Sequence, residues 1–390
     1  MKKLIQNKKV FYAGLIYLIS VLCYIGVRLL WQIFSVSSNL DSVWSDLLFT
    51  VLVQGILFCV PILLYMLFCR EKLSSTMKRF FFRKISLKAV LYSILLGILT
   101  YIVVIYSATI WSMILSMFGY THSSGASSSN VPVWIAFLIG IFSTAIFPGI
   151  GEETAHRGLL LGNLRDNGLT RAIMLSALMF GLAHLNVPQF GYAFVVGIIL
   201  GTVTLTTRSI FPAIIIHATS NFTSMYCDYA TDYGWVGSKT ISFFYSLLET
   251  PFVGILMSTI VLILTLVGIV YLLQKLFIEN KIDKLTQFKE NLKKSVQGTD
   301  MENMFDFNDQ KQMIALFNSA TEKDIQQKLQ QGKLDLAHLE NEFKRSNIAS
   351  IIHNEIDDYE PPNQLDNIFL YIAIFLMSLI TIITFIWGVM

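Results

Sequence analysis

Long apolar runs separated by polar connections set the pattern of this chain. They lie at Val10–Phe34, Leu47–Cys69, Leu87–Tyr120, Pro132–Leu161, Ala172–Leu185, Phe190–Thr207, Ile210–Tyr226, Pro251–Phe277 and Ile368–Met390. A helix rises about 1.5 Å per residue, so roughly 20 apolar residues cross a hydrocarbon layer about 30 Å thick. The pattern predicts an all-α polytopic membrane protein with about nine transmembrane helices. The third and fourth runs exceed what a crossing needs, which predicts tilt or protrusion. The fifth is short.

Composition agrees with that reading. Of the 390 residues 54% are hydrophobic and only 14% charged, with mean hydropathy +0.60, where a soluble domain carries about 25% charged residues. The net charge of +3 hides a segregation: 17 of the 26 acids fall between Glu279 and Asp366. Lys2, Lys3, Lys8 and Lys9, then Arg70 to Lys88, then Arg157, Arg165 and Arg171, then Arg208 mark alternate connections, whereas Ser35–Asp46 and Thr121–Val131 contain no Lys or Arg. Basic residues stay on the cytoplasmic side, so the N-terminus is expected inside and, after nine spans, the C-terminus outside. The basic start resembles a signal peptide, but no small-residue cleavage site follows, and a retained first span is expected.

The chain therefore divides into N-terminal transmembrane helices at 1–130, a core at 131–230, an eighth transmembrane region at 231–278, an appendage at 279–366 and a last helix at 367–390. The appendage repeats apolar residues at helical spacing, as in Ile282, Leu285, Phe288 and Leu292. It is expected to be cytoplasmic and helical or partly disordered, its charges a solvated face. A docking partner for 279–366 is an open expectation. No phosphate loop, nucleic-acid signature or repeat is present, and nucleic acid is not an expected partner. Cys23, Cys59, Cys69 and Cys227 are too scattered for a disulfide framework or a structural zinc site.

Three polar elements interrupt the apolar background. In Pro148-Gly149-Ile150-Gly151-Glu152-Glu153-Thr154-Ala155-His156-Arg157 the pairs Glu153/Arg157 and Glu152/His156 are each i,i+4, on faces rotated by about 100°. Arg157 can neutralise Glu153 and leave Glu152 free. Phe180-Gly181-Leu182-Ala183-His184 ends the short fifth run. His217-Ala218-Thr219-Ser220-Asn221 puts an imidazole and an amide on one face of the seventh. Each alone reads equally as a solvated interface or as interhelical hydrogen bonding. Together, a carboxylate, two imidazoles and an amide supply a base for water and donors for an oxyanion. Glu152, His184 and His217 are also candidate ligands for a divalent metal such as zinc, although the HExxH arrangement is absent. Cofactors are thus expected to be none or such a metal.

Glu152-Glu153-x-x-x-Arg157, Phe180-x-x-x-His184 and His217-x-x-x-Asn221 resemble, in order and spacing, the three motifs of the CPBP family, which comprises type II CAAX prenyl endopeptidases and bacterial bacteriocin-processing or immunity proteins. The resemblance spans about Pro132 to Tyr226. It implies an all-helical intramembrane protease acting on a membrane-associated or lipidated peptide or protein. Glu152 would be the general base, His184 its assistant, His217 and Asn221 an oxyanion hole, and Glu153 with Arg157 a structural or substrate-positioning pair. The label of metalloprotease is common in the family, and a metal-free glutamate mechanism is argued beside it. The expected setting is a lipid bilayer, the bacterial plasma membrane, with a cavity open to the cytosol.

Depth complicates the picture. Glu152 comes about 30 Å along a helix from Pro132, and His184 and His217 about 20 and 13 Å from the arginines that precede them. These depths disagree unless Pro148, Gly149 and Gly151 break the fourth span, which a polar cavity would permit, or Arg171 starts well below the interface. Two readings compete with the protease: a non-catalytic scaffold or immunity factor, and a proton-coupled transporter, for which the absence of internal repeats counts against.

Overall fold

A computed structural model describes residues 7–37, 40–121, 129–165, 168–249, 253–297, 313 and 365–389. Among them every regular element is helical: α1 (Lys8–Ser37), α2 (Ser42–Cys69), α3 (Leu73–Arg79), α4 (Leu87–Met117), α5 (Val133–Leu164), α6 (Leu169–Ala183), α7 (Val187–Thr207), α8 (Phe211–Tyr233), α9 (Ser238–Glu249), α10 (Val253–Val296), a 3-10 turn at Leu365–Asn367 and α11 (Ile368–Val389). Two compact units separate, residues 1–276 with 361–390, and residues 277–360. Of the second unit only 277–297 and 313 are described, so most of the expected appendage lies outside the described residues.

Among the described residues each of the nine apolar runs is mainly helical, but seven helices, not nine, are long and apolar enough to cross a membrane. The two that fall short have separate reasons. Helix α6 is only 15 residues long, about 22 Å. Helix α8 has the length but carries His217, Ser220, Asn221, Asp228 and Asp232, and its polar content tells against a lipid-facing position.

Local sequence explains where the helices begin. Asp41 caps α2 by accepting from the Val43 amide at 3.0 Å. Ser86 caps α4 and Asn186 caps α7, each accepting from a first-turn amide, the usual task of short polar side chains at that position. Pro188 and Pro212 fall in first turns, where no amide proton is missed.

Helix packing forms two apolar clusters. One joins α1, α2, the C-terminal part of α5, α6 and α11 through residues such as Ile16, Tyr65, Leu160, Met179 and Met377. The other joins α4, α7, α8 and α10 around Leu96, Leu200, Ile216 and Leu272, with Phe180 of α6. Large side chains such as Leu29, Leu63 and Ile263 stay exposed, as a lipid-facing surface requires.

Helix α5 is where the expected break is corrected. Its chain stays helical through Pro148, Gly149 and Gly151, but it widens to π-helix at Ile141–Ile146 and at Thr154–Leu161, on either side of the α-helical Phe147–Glu153. The proline is accommodated from outside. Pro148 has no amide proton for the Thr144 carbonyl four residues earlier, and Asn221 Nδ2 of α8 donates to that carbonyl at 2.9 Å. The glycines serve close approach. A Cβ at Gly149 would lie 3.2 Å from the Ile214 carbonyl of α8, and one at Gly151 would lie 2.8 Å from the Gln54 carbonyl of α2. Helices α2 and α8 thus press on the carboxylate-bearing turn from two sides.

Candidate active site

Helix α5 presents its two glutamates to different surroundings. Glu153 and Arg157 are both fully buried. Arg157 Nη1 donates to Glu153 Oε1 at 3.1 Å and Nη2 to the Gly197 carbonyl at 3.2 Å, and the guanidinium lies 4.4 Å from the Phe180 ring centre. His217 Nδ1 bonds the same Glu153 oxygen at 2.9 Å. Four helices, α5, α6, α7 and α8, meet in this cluster. Phe180 is its hub: its ring edges against those of His156, His184 and His217 at 5.2, 5.2 and 5.6 Å between centres.

Glu152 points elsewhere. It lines a cavity of about 170 Å³ with His156, His184, Tyr17 and Gln54 among its walls. Gln54 Nε2 donates to Glu152 Oε1 at 3.0 Å. His184 Nδ1 lies 2.9 Å from the Phe180 carbonyl. A carbonyl only accepts, so Nδ1 holds the proton and a neutral ring keeps the lone pair of Nε2 available to a proton. His156 has the same tautomer for the same reason: its Nδ1 is 2.7 Å from the Glu152 carbonyl, and its Nε2 accepts from the Tyr17 hydroxyl at 2.9 Å. His156 thus pairs with the backbone of Glu152 and not with its carboxylate, although the two are i,i+4.

His217 and Asn221 are not among the cavity's lining residues. Asn221 spends its amide donor on Thr144 and His217 spends Nδ1 on Glu153. With Nδ1 so engaged, His217 Nε2 donates only when the ring is protonated. The same geometry bears on the metal reading. Glu152 and His184 line the cavity and His217 does not, and among the described residues no group of three or more His, Cys, Asp or Glu side chains is arranged to hold a metal ion. His217 is drawn to Glu153 by the ion-pair cluster on the other face of α5. The residues do not fit a metal, and no step is routed through one.

The cavity lies toward one end of the helices. Its lining runs from Tyr17 up α1 to Arg28, from Leu57 back along α2 to Phe49, and takes in His184 at the end of α6 and Gln189 at the start of α7. Arg28 is about 30 Å along α1 from Lys8, and His184 about 24 Å along α6 from Gly168. These are the helix ends opposite the Lys- and Arg-rich connections. At the basic end the space beneath the site is filled instead. Phe80 and Phe81 are fully buried there, and Asn163 Oδ1 accepts from Tyr65 and Arg79.

Gln54, Tyr17 and Arg28 belong to the site and were not singled out from the sequence. The signal was there: each is a polar interruption of an apolar run, but unlike the histidines none sits in a motif.

A polytopic helical membrane protein that keeps one intramembrane carboxylate neutralised and a second exposed to a cavity beside an imidazole belongs to the class of candidate intramembrane hydrolases. Residues 134–223 match the family described as type II CAAX prenyl endopeptidase Rce1-like. This segment, about a quarter of the chain, contains Glu152, Glu153, Arg157, Phe180, His184, His217 and Asn221. No curated protein and no solved structure matches the chain.

Proposed function

We propose that the chain is an intramembrane endopeptidase in which Glu152 deprotonates a water held in the cavity and His184 Nε2 shares that proton. One observation supports this most: Glu152 and His184 line the same cavity, while Glu153 is tied into a buried ion pair and withheld from it. A carboxylate and an imidazole with a free lone pair are the pair a water needs for deprotonation and for later proton delivery to the leaving amine. The space admits several waters or part of a peptide. The Glu153–Arg157–His217 cluster fixes the helix and keeps charge off the face that Glu152 does not use. His217 and Asn221 act in this reading by positioning α5, since both hold it by hydrogen bonds.

The substrate is a membrane-associated peptide or protein, reaching the cavity from the ends of α1 and α6. By the distribution of lysine and arginine those ends are non-cytoplasmic. Cysteines placed at Thr50 and Gln189 would then react with a membrane-impermeant maleimide added to intact cells, and labelling only after permeabilisation would reverse the orientation. The activity is tested with purified protein in proteoliposomes, comparing peptides released by wild type and by Glu152→Gln, with mass spectrometry as the readout. Release that depends on Glu152 and His184 is expected. Hydrolysis that survives Glu152→Gln would remove the assigned base, and absence of any hydrolysis would favour the scaffold reading, in which the same contacts only lock helices together.

A further inference from the structure

Arg28 is a cation in an unusual place. It stands in α1 on the wall of the cavity, at the end of the helices where the connections Ser35–Asp46 and Thr121–Val131 contain no Lys or Arg. Only two formally charged side chains line the cavity, Arg28 and Glu152. Glu152 is held by Gln54. Arg28 has no carboxylate partner among the described residues: its Nη1 donates to the Tyr24 hydroxyl at 3.1 Å and to the His184 carbonyl at 3.4 Å, both neutral acceptors. Those two bonds use one of the guanidinium's three nitrogens and hold the group toward His184. The planar fork keeps donors in the geometry that suits a carboxylate. A guanidinium within a membrane-spanning segment and without a counter-charge is costly unless something supplies one.

We propose that Arg28 forms an anion subsite of this cavity that takes a carboxylate of the bound peptide and sets the register in which the peptide meets Glu152. Because Arg28 bonds the backbone of His184 itself, the carboxylate sits within a few residues of the bond presented to the water; each extended residue spans about 3.3–3.6 Å. The walls between, with Val21, Phe49, Val53 and Leu57, suit apolar side chains. The occupant is therefore an apolar peptide segment with a carboxylate at or near one end. That carboxylate comes from either the C-terminus or an acidic side chain, and the two sources share the same chemistry at Arg28.

The consequence for cleavage rests on the peptidase reading, but the subsite is tested without cleavage. Full-length protein in detergent micelles is titrated with fluorescein-labelled ten-residue apolar peptides in three forms: free C-terminal acid, C-terminal amide, and amide with one Asp placed third from the end. The free acid is expected to bind at least about tenfold tighter than the plain amide, the worth of one charged hydrogen-bonded contact. Arg28→Gln should erase that difference, and Arg28→Lys should keep part of it, with thermal melting showing each variant folded. If the Asp-bearing amide regains the affinity of the free acid, the subsite reads side chains as well as termini. Equal binding of acid and amide by wild type, or discrimination that persists in Arg28→Gln, overturns the proposal. Carboxylate-dependent binding without any hydrolysis would leave the subsite standing and sink the peptidase reading instead.

Discussion

Replacing Arg157 by methionine strips the buried cluster of its permanent cation and retains most of the side chain's volume. Both members of the pair are fully excluded from solvent. The variant leaves Glu153 with one hydrogen-bond partner, His217 at 2.9 Å from Oε1, while Oε2 has none even in the intact protein. Breaking a buried pair from one side costs about 3–5 kcal/mol because the remaining charge stays buried without its counter-ion. The hydrogen bond to the Gly197 carbonyl and the contact with Phe180 add about 1 kcal/mol each. The total, about 5–7 kcal/mol, approaches the whole stability of many domains. Glu153→Gln with Arg157→Met removes both charges, and should recover most of the loss, since replacing a buried pair by neutral groups of similar volume is often neutral. The assay is reversible unfolding of the full chain in mixed micelles by SDS titration, followed by tryptophan fluorescence. A single variant within about 1 kcal/mol of wild type would refute the account, as would a double variant that falls to the sum of the two singles.

Gln54→Leu should lower kcat about tenfold or more with KM unchanged, because the residue touches Glu152 and not the substrate; a change confined to KM would place Gln54 in substrate binding, and no change would remove its role. Asn221→Leu leaves the Thr144 carbonyl without its donor and should cost about 1 kcal/mol, and Pro148→Ala in the same chain should recover it by restoring the missing amide proton; additive losses in the double variant would show that Asn221 does not serve that carbonyl. Asp41 is held below the usual carboxylate range first by the Ser129 hydroxyl at 2.7 Å and then by the Asn130 amide at 2.9 Å, with the Val43 amide adding to them. A folded-state value below the unfolded one gives stability that is present above the ordinary carboxylate pKa and is lost as pH falls through the depressed one. Melting temperatures of wild type and Asp41→Asn should therefore differ at neutral pH and converge toward pH 3, and a gap that widens on acidification would contradict the sign.

How much of this was legible in the sequence depends on whether a feature is local. The helices were readable from apolar runs, because each helix satisfies its own backbone within lipid. Pairing of Glu153 with Arg157 was readable from i,i+4 spacing on one helix. What lay beyond reach were contacts made across helices. Gln54 is 98 residues from Glu152, and nothing in the run Leu47–Cys69 says which face meets α5. The expected break at Pro148–Gly151 failed for a related reason. Intrinsically these residues oppose a helix, but Asn221 from 77 residues away covers the carbonyl that the proline strands. The glycines that looked like breakers instead admit Gln54 and Ile214 to close contact.

The division between the two glutamates follows from the path of α5. Consecutive residues on a helix diverge by about 100°, so Glu153 facing α7 and α8 obliges Glu152 to face α1 and α2. Sequence motifs drew attention to α6 and α8 as the partners of Glu152; the hydrogen bond that His217 of α8 makes to a glutamate goes to Glu153. Beside His156 and His184, the groups that surround Glu152 come from α1 and α2, outside the segment that the family match covers. The matched segment thus supplies the carboxylate and the imidazole, and the N-terminal helices supply Gln54, Tyr17 and Arg28. Under the peptidase reading, the chemistry belongs to the matched segment and the choice of substrate to α1 and α2. Exchanging α1 and α2 for those of another member should then alter which peptides are cut while leaving dependence on Glu152 intact. Loss of that dependence in the chimera would mean that the N-terminal helices help create the base rather than select what it acts on.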